Sequence, residues 1–163
     1  MNARVAEKLI LENKLRKALD KDEFVLFYQP KLNVSNNSIC GFEALIRWNS
    51  DDGMVSPDRF IPVLEETGLI LDVGRWVIRQ AMQDYQSWLQ KNLDPPPVAV
   101  NISAIQLAQP DFIGRIDEIV MQNAHKAPWL ELEITETVIM EQLRETIRET
   151  PCTQEAGHRY QYR

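Results

Sequence analysis

The segment Gly41–Trp48, GFEALIRW, places a carboxylate and a guanidinium on what otherwise has the composition of a buried strand. Charges on a buried strand are costly without partners, which raises the question of what Glu43 and Arg47 do there. Further polar residues fall at or near the carboxyl ends of other predicted strands, at Gln29, Asn101 and Glu133. Two carboxylates and one amide oxygen converging there would form an all-oxygen site suited to magnesium, manganese or calcium. Taken one at a time, each residue is more often a helix cap or a solvent-facing side chain.

The first half of the chain predicts a helix followed by a hairpin. Residues 5–24 have an amphipathic pattern, with Val5, Leu9, Leu15 and Leu19 on one helical face, so we expect a helix within the first two dozen residues. Two strand-like segments, 24–30 and 38–48, are joined by a polar turn too short for a crossover helix. We therefore expect the two strands to be antiparallel neighbours.

The second half alternates helices and strands. The predicted elements are helix 57–67, stopped by Gly68, helix 70–90, strand 98–103, helix 111–124, strand 129–136 and a helix from about Val138. We expect the long helix to bury Val73, Trp76, Val77, Met82, Tyr85 and Leu89. This alternation with nearly continuous apolar strands favours parallel β/α units, either a doubly wound sheet or a barrel. Periodicity alone does not choose between them, but polar residues at the carboxyl ends of strands are typical of barrels.

Composition and charge restrict the function classes. The chain has 163 residues, 44% of them hydrophobic, and a net charge of -6, which fits one globular domain and argues against binding along a DNA backbone. Its apolar runs are too short for a membrane span, and its N-terminus lacks a signal-peptide core, so we expect a cytoplasmic protein. Cys40 and Cys152 show no metal-ligand spacing.

Several ordered motifs resemble one family. They are YQP at 28–30, FEALIRW at 42–48, VSPDRFIPVLEETGLI at 55–70, VNIS at 100–103 and LEITET at 132–137. Over residues 15–140 the chain resembles the EAL domains, phosphodiesterases of the bacterial second messenger cyclic di-GMP. The resemblance implies an α/β fold, a (β/α)8 TIM-barrel-like domain whose first strand is antiparallel to the rest, in agreement with the hairpin predicted above.

The resemblance also implies roles for individual residues. Glu43, Asn101 and Glu133 match metal ligands, while Gln29 and Arg47 match positions that contact the ligand. Glu136 matches an organising residue beside the metals, so the implied catalytic carboxylates are Glu43, Glu133 and Glu136. In the family, two metal ions, Mg²⁺ or Mn²⁺, bind the phosphodiester and activate a water, which opens cyclic di-GMP to linear pGpG. An arginine suits the phosphate because its guanidinium donates two parallel hydrogen bonds.

The chain departs from the family pattern after Met140. The family has a strand there that ends in an Asp-Asp pair followed by FGTGYS, then further β/α units, and a barrel needs about 250 residues. We therefore expect about the first half of a barrel, with an incomplete site that binds metal weakly. Read one base later, the codons allowed by residues 150–163 permit the string LHALKKLGIGISID that the family has there. We hypothesise a one-base insertion between about Arg148 and Thr150, which sequencing the gene would test.

This interpretation divides the chain into a leader helix (1–20), a partial EAL domain (21–149) and an out-of-frame tail (150–163). The leader is a candidate connection to an upstream sensor or diguanylate cyclase (GGDEF-type) domain. Two function classes stay open: a phosphodiesterase that is inactive alone, or a non-catalytic module that binds cyclic di-GMP or protein. In the second, the open half barrel binds another protein or associates with itself. If a downstream reading frame encodes the missing half, two chains could instead assemble one site.

Overall fold

The computed structural model describes residues 3–122 and 129–134 of the chain. Glu136, the helix expected from Val138 and the tail 150–163 lie outside these described residues. The elements are α1 Ala3–Ala18, β1 Phe24–Asn33, β2 Ser38–Ser50, β3 Gly53–Val55, α2 Pro57–Thr67, α3 Ile70–Gln90, β4 Val98–Ile102, α4 Ala104–Leu107, α5 Phe112–Gln122 and β5 Leu130–Ile134. Within the described ranges, no helix is long and apolar enough to cross a lipid bilayer.

The sheet has the mixed topology that the sequence predicts. Its strand order is β1-β2-β4-β5, with the short β3 paired to β2. The β1/β2 pair is antiparallel, as expected, and the β2/β4 and β4/β5 pairs are parallel. Spatial order follows chain order without the reversal that marks a doubly wound sheet, so these strands form part of a barrel.

The predicted start and end of α2 are confirmed. Pro57 occupies the first turn of the helix, where its missing N–H costs no hydrogen bond. At the other end Gly68 has φ 75°, a left-handed conformation that glycine adopts without steric cost, and its N–H donates to the Glu65 carbonyl at 3.2 Å. This tight end lets α3 begin two residues later, at Ile70.

The core lies between the sheet and the helices α2 and α3. On the sheet side it contains Ala44, Trp48, Val98 and Val100, and on the helix side Phe60, Leu64, Val73, Val77, Ile78 and Met82. Each strand contributes alternate residues to this packed face, which we call the outer face. The opposite face of the same strands, the inner face, carries the candidate site residues.

Two expected core positions are wrong. Leu9 in α1 is 50% exposed, because the helix contacts the core through Leu15 and Ala18 instead. Leu89 in α3 is 48% exposed, since it lies in the last turn of the helix, beyond the buried residue Tyr85. The structure also contains two short elements that the sequence did not predict, β3 and α4.

Candidate metal and phosphate site

Strand register brings the predicted polar residues together on the inner face. Gln29 is directly opposite Glu43 in the β1/β2 pair, and Asn101 is directly opposite Glu133 in the β4/β5 pair. Glu43 is level with Ala99, two residues before Asn101, so period-two alternation places Glu43 and Asn101 on the same face. Four residues from four strands therefore share one surface.

Their places along the strands differ in part from expectation. Asn101 immediately precedes the last residue of β4, as predicted, and Glu133 lies in β5 one residue before the end of the described part of the chain. Gln29 and Glu43 instead lie in the interior of their strands, because β1 continues to Asn33 and β2 to Ser50. The convergence depends on register rather than on shared strand ends.

Glu43 and Asn101 are in direct contact. The Asn101 side-chain amide nitrogen donates to Glu43 Oε1 at 2.7 Å, which joins two neighbouring strands through their side chains. Donation by the nitrogen leaves the Asn101 amide oxygen and the second Glu43 carboxylate oxygen as free acceptor atoms on that side. These are hard oxygen donors of the kind that magnesium and manganese prefer.

Lys31 is a member of the site that the sequence interpretation missed. Its ammonium forms an ion pair with Glu133. This hydrogen bond raises the pKa of Lys31, and the negative charges of Glu133, Glu131 and Glu43 raise it further against a smaller opposing effect of burial. The alternation of side chains along a strand could have predicted this position, because Lys31 lies two residues after Gln29 on the same strand and so on the same face.

The Lys31–Glu133 ion pair also indicates that the sheet is curved. The two residues lie on β1 and β5, three strand spacings apart, which is about 14 Å across a flat sheet. Two side chains do not cover that distance together with the offset of their positions along the strands. The ion pair therefore forms because the inner face is concave, as in a closing barrel.

Arg47 lies on the inner face four residues after Glu43. One guanidinium nitrogen donates to the Ile46 carbonyl at 2.8 Å, and the guanidinium carbon is 5.6 Å from the centre of the Phe27 ring. Among the described residues, no carboxylate forms an ion pair with Arg47. The remaining guanidinium donors are thus available to an anionic ligand.

A cavity of about 310 Å³ adjoins Arg47 and Asn101. It forms where β2 and β4 separate, because their pairing covers only Phe42–Ala44 of β2. Its walls are mostly aliphatic, from α2 and α3, and its polar members are Arg47, Glu65, Asn101, Ser103 and Gln106. A small, mainly apolar recess beside an unpaired guanidinium can take an organic group attached to a phosphate.

Tyr28 of the YQP motif fixes β1 to α3. Its hydroxyl donates to Asp84 Oδ2 at 2.6 Å, and the Gln80 amide nitrogen donates to the other carboxylate oxygen at 2.9 Å. Burial, and then the hydrogen bond to Asp84, raise the pKa of Tyr28 far above its ordinary value. Tyr28 therefore faces the helices while its neighbour Gln29 faces the site, which is the alternation expected of a strand.

The loop after Asn101 is held by a capping box. Ser103 Oγ accepts from the Gln106 backbone N–H at 3.4 Å, and Gln106 Oε1 accepts from the Ser103 N–H at 3.1 Å. The Gln106 side chain then lies against α3 at Gly74, where an added Cβ would be 2.0 Å from Gln106 Nε2. This packing fixes where the chain goes immediately after β4.

The donor set fits a divalent cation in part. Glu43, Asn101 and Glu133 supply oxygen donors on one concave face, although Glu133 is engaged by Lys31. In the described part of the chain, no three His, Cys, Asp or Glu residues form a group that could hold a metal, so the candidate depends on the Asn101 oxygen. Glu136 lies outside the described residues, and its role stays a prediction.

The EAL domain model matches residues 12–157. The chain belongs to the EAL domain family. It is 41% identical over 147 residues to an uncharacterized Synechocystis protein, sll1895, covering 90% of this chain and 21% of that protein. It is 36% identical over 141 residues to the Pseudomonas aeruginosa bifunctional diguanylate cyclase/cyclic di-GMP phosphodiesterase MucR, covering 86% of this chain and 21% of MucR.

A solved EAL structure supports the fold assignment. The PaMucR phosphodiesterase in complex with c-di-GMP superposes with a TM-score of 0.76 at 33% identity, covering 85% of this chain and 56% of that one. The sheet described above is therefore part of a TIM-barrel-like fold. The chain spans about a fifth of the length of these curated relatives and about half of the solved EAL chain.

Proposed function

We propose that this EAL chain supplies the ligand-binding side of a cyclic di-GMP phosphodiesterase site, whose reaction opens the cyclic dinucleotide to pGpG. The main observation is the shared inner face, where Asn101 donates to Glu43, and where Arg47 lies four residues after Glu43 on the same strand and lines a cavity together with Asn101. The match to the EAL family, which includes proteins named as cyclic di-GMP phosphodiesterases, supports the choice of substrate.

Each residue then has a role that follows from its chemistry. Arg47 holds a phosphate through its free guanidinium donors, and Gln29 donates its amide to a ligand edge at the same surface. Glu43, Asn101 and Glu133 would hold Mg²⁺ or Mn²⁺, which neutralises phosphate charge and lowers the pKa of a bound water.

We further propose that the 163-residue polypeptide alone does not turn over cyclic di-GMP. Its sequence contains no Asp-Asp pair followed by Phe-Gly, the segment that the family pattern has after the strand next to β5. Charge neutralisation by two metal ions needs those further carboxylates. Hydrolysis then requires a polypeptide that supplies the remaining strands of the barrel.

The test measures conversion of cyclic di-GMP to pGpG with Mg²⁺ or Mn²⁺. The 163-residue chain, a full-length EAL version that continues through the acidic pair, and Glu43→Ala in both are compared. Activity is expected only in the full-length version and should disappear with Glu43→Ala, whereas the matched control Glu12→Ala on α1 keeps it. Turnover by the 163-residue chain that Glu43→Ala removes would overturn the proposed dependence on the further strands.

A second candidate is a module that binds cyclic di-GMP or another protein without hydrolysis. Two observations favour it: the phosphate-contacting candidate Arg47 has free donors, and Phe27 beside it is 51% exposed on the inner face. Self-association through the edge of β5, expected around Leu130–Thr135, belongs to the same proposal, because β5 is the last strand of the sheet among the described residues. Calorimetry with cyclic di-GMP in the absence of metal, and light scattering, separate it from the enzyme. A monomer that binds no cyclic di-GMP would exclude the module.

A further inference from the structure

Lys31 crosses the inner face to reach a predicted metal ligand. Its ammonium pairs with Glu133, and three carboxylates act on it, those of Glu133, Glu131 and Glu43. Neither partner is fully buried, with 31% and 40% of the Lys31 and Glu133 side chains exposed. A cation that enters from the concave side therefore meets a carboxylate that already has a counter-ion.

The Lys31 side chain passes over Gly41. Lys31 is directly opposite Gly41 in the β1/β2 pair, and a Cβ added to Gly41 would lie 3.5 Å from Lys31 Cδ and 3.9 Å from its Cβ. The methylene stem thus passes over the one residue of β2 that has no side chain at this level. These are ordinary van der Waals distances, so the stem of Lys31 packs closely on this part of β2.

We propose that Lys31 is an affinity-determining residue for the metal site: its ammonium acts as an internal counter-ion of Glu133, and a divalent cation must displace it. The inference rests on the proposed function, because it takes Glu133 as a metal ligand. Two cations near one carboxylate repel each other, and an ammonium occupies the oxygen that the metal needs. Lys31 therefore weakens metal binding while it keeps the acidic face neutralised without metal.

Loss of this charged side chain is expected to strengthen metal binding rather than weaken it. Removal of Lys31 leaves Glu133 unpaired and removes one positive charge, so the metal should bind more tightly. Exposed ion pairs have modest energies, and the expected gain in Mn²⁺ affinity of Lys31→Met is about fivefold. Lys31→Arg keeps the charge and should stay close to wild type. Lys14→Met, which removes a lysine paired with Asp52 away from the site, is the matched control and should also stay close to wild type.

The experiment titrates the 163-residue chain with Mn²⁺ and follows free Mn²⁺ by electron paramagnetic resonance. Tighter binding by Lys31→Met, with Lys31→Arg and Lys14→Met unchanged, supports the inference. Equal or weaker binding by Lys31→Met, with Glu43-dependent binding intact in the wild type, overturns it and leaves the proposed function in place. Binding that Glu43→Gln fails to reduce in any variant overturns both the inference and the metal site on which it rests.

Discussion

The two faces of the same sheet differ in almost every physical property. On the outer face, Ala44, Trp48, Val98 and Val100 are at most 4% exposed and contact helices. On the inner face, Gln29 and Asn101 are exposed, and Glu43 forms a polar contact with Asn101 instead of an apolar one. Because successive side chains of a strand point to opposite faces, the same strand contributes residues to both faces. Stability and site chemistry should therefore respond to different substitutions on the same strand.

The largest effect should come from Trp48→Ala on the outer face. Trp48 is 1% exposed, packs against Phe24 and Phe60, and donates its indole N–H to Glu23 Oε2 at 2.9 Å. We expect a loss of about 3–5 kcal/mol in the free energy of unfolding, from lost packing and the cavity left behind. Urea unfolding measures this loss. The inner-face control is Phe27→Ala, and a loss equal to that of Trp48→Ala would remove the contrast between the faces.

Tyr28→Phe tests the hydrogen bond that fixes β1 to α3. We expect a loss of about 2 kcal/mol, since the deleted hydroxyl donates to a carboxylate, Asp84. The folded state raises the pKa of Tyr28, so this contribution is fully present below the ordinary pKa of 10.0 and decreases as pH rises above it. Urea unfolding of both proteins from pH 7 to pH 11 measures the effect.

Tyr85→Phe is the matched control for that experiment, because its hydroxyl donates to a neutral acceptor, the Pro95 carbonyl, at 2.9 Å. We expect a smaller loss, of about 1 kcal/mol. If Tyr28→Phe costs no more than Tyr85→Phe, the charged acceptor has no special role.

Glu43→Gln should have the reverse effect to Trp48→Ala: metal affinity should fall while stability stays nearly unchanged. It removes a charge from the inner face but keeps an oxygen that can accept from Asn101. We expect Mn²⁺ affinity to fall about tenfold, while the free energy of unfolding changes by less than about 0.5 kcal/mol. Paramagnetic resonance and urea unfolding give the two values. A large loss of stability with unchanged affinity would show that Glu43 is a structural residue.

Ser103→Ala should have a small effect, a loss of about 1 kcal/mol in the free energy of unfolding from the capping box after β4. Thermal unfolding measures this loss. Ser87→Ala, in the last turn of α3, is the matched control and should change stability less. Ser103 lies two residues after Asn101, at the start of the loop that follows β4. If Ser103→Ala also lowers Mn²⁺ affinity, the position of this loop affects the position of Asn101.

The sequence predicted much of this arrangement, for local reasons. The hairpin, the Pro57 start and the Gly68 stop depend on neighbouring residues, so they can be predicted from short segments. Leu9 and Leu89 were placed wrongly, because burial at a helix end depends on what lies opposite in three dimensions. Lys31 was missed for a similar reason, since its partner is 102 residues away and is reached only across a curved sheet. Strand register and sheet curvature depend on contacts between residues far apart in the sequence, so the hydrophobic periodicity of a single segment does not predict them.

Gly74 has a consequence for the turn that follows Asn101. Glycine within a helix is less favourable than alanine by about 1 kcal/mol, yet α3 has one where the Gln106 amide approaches it. A larger residue would displace the amide end of Gln106, and the hydrogen bond that its Oε1 accepts from the Ser103 N–H would weaken. Helix α3 is therefore coupled to the turn after Asn101 through the end of one flexible side chain.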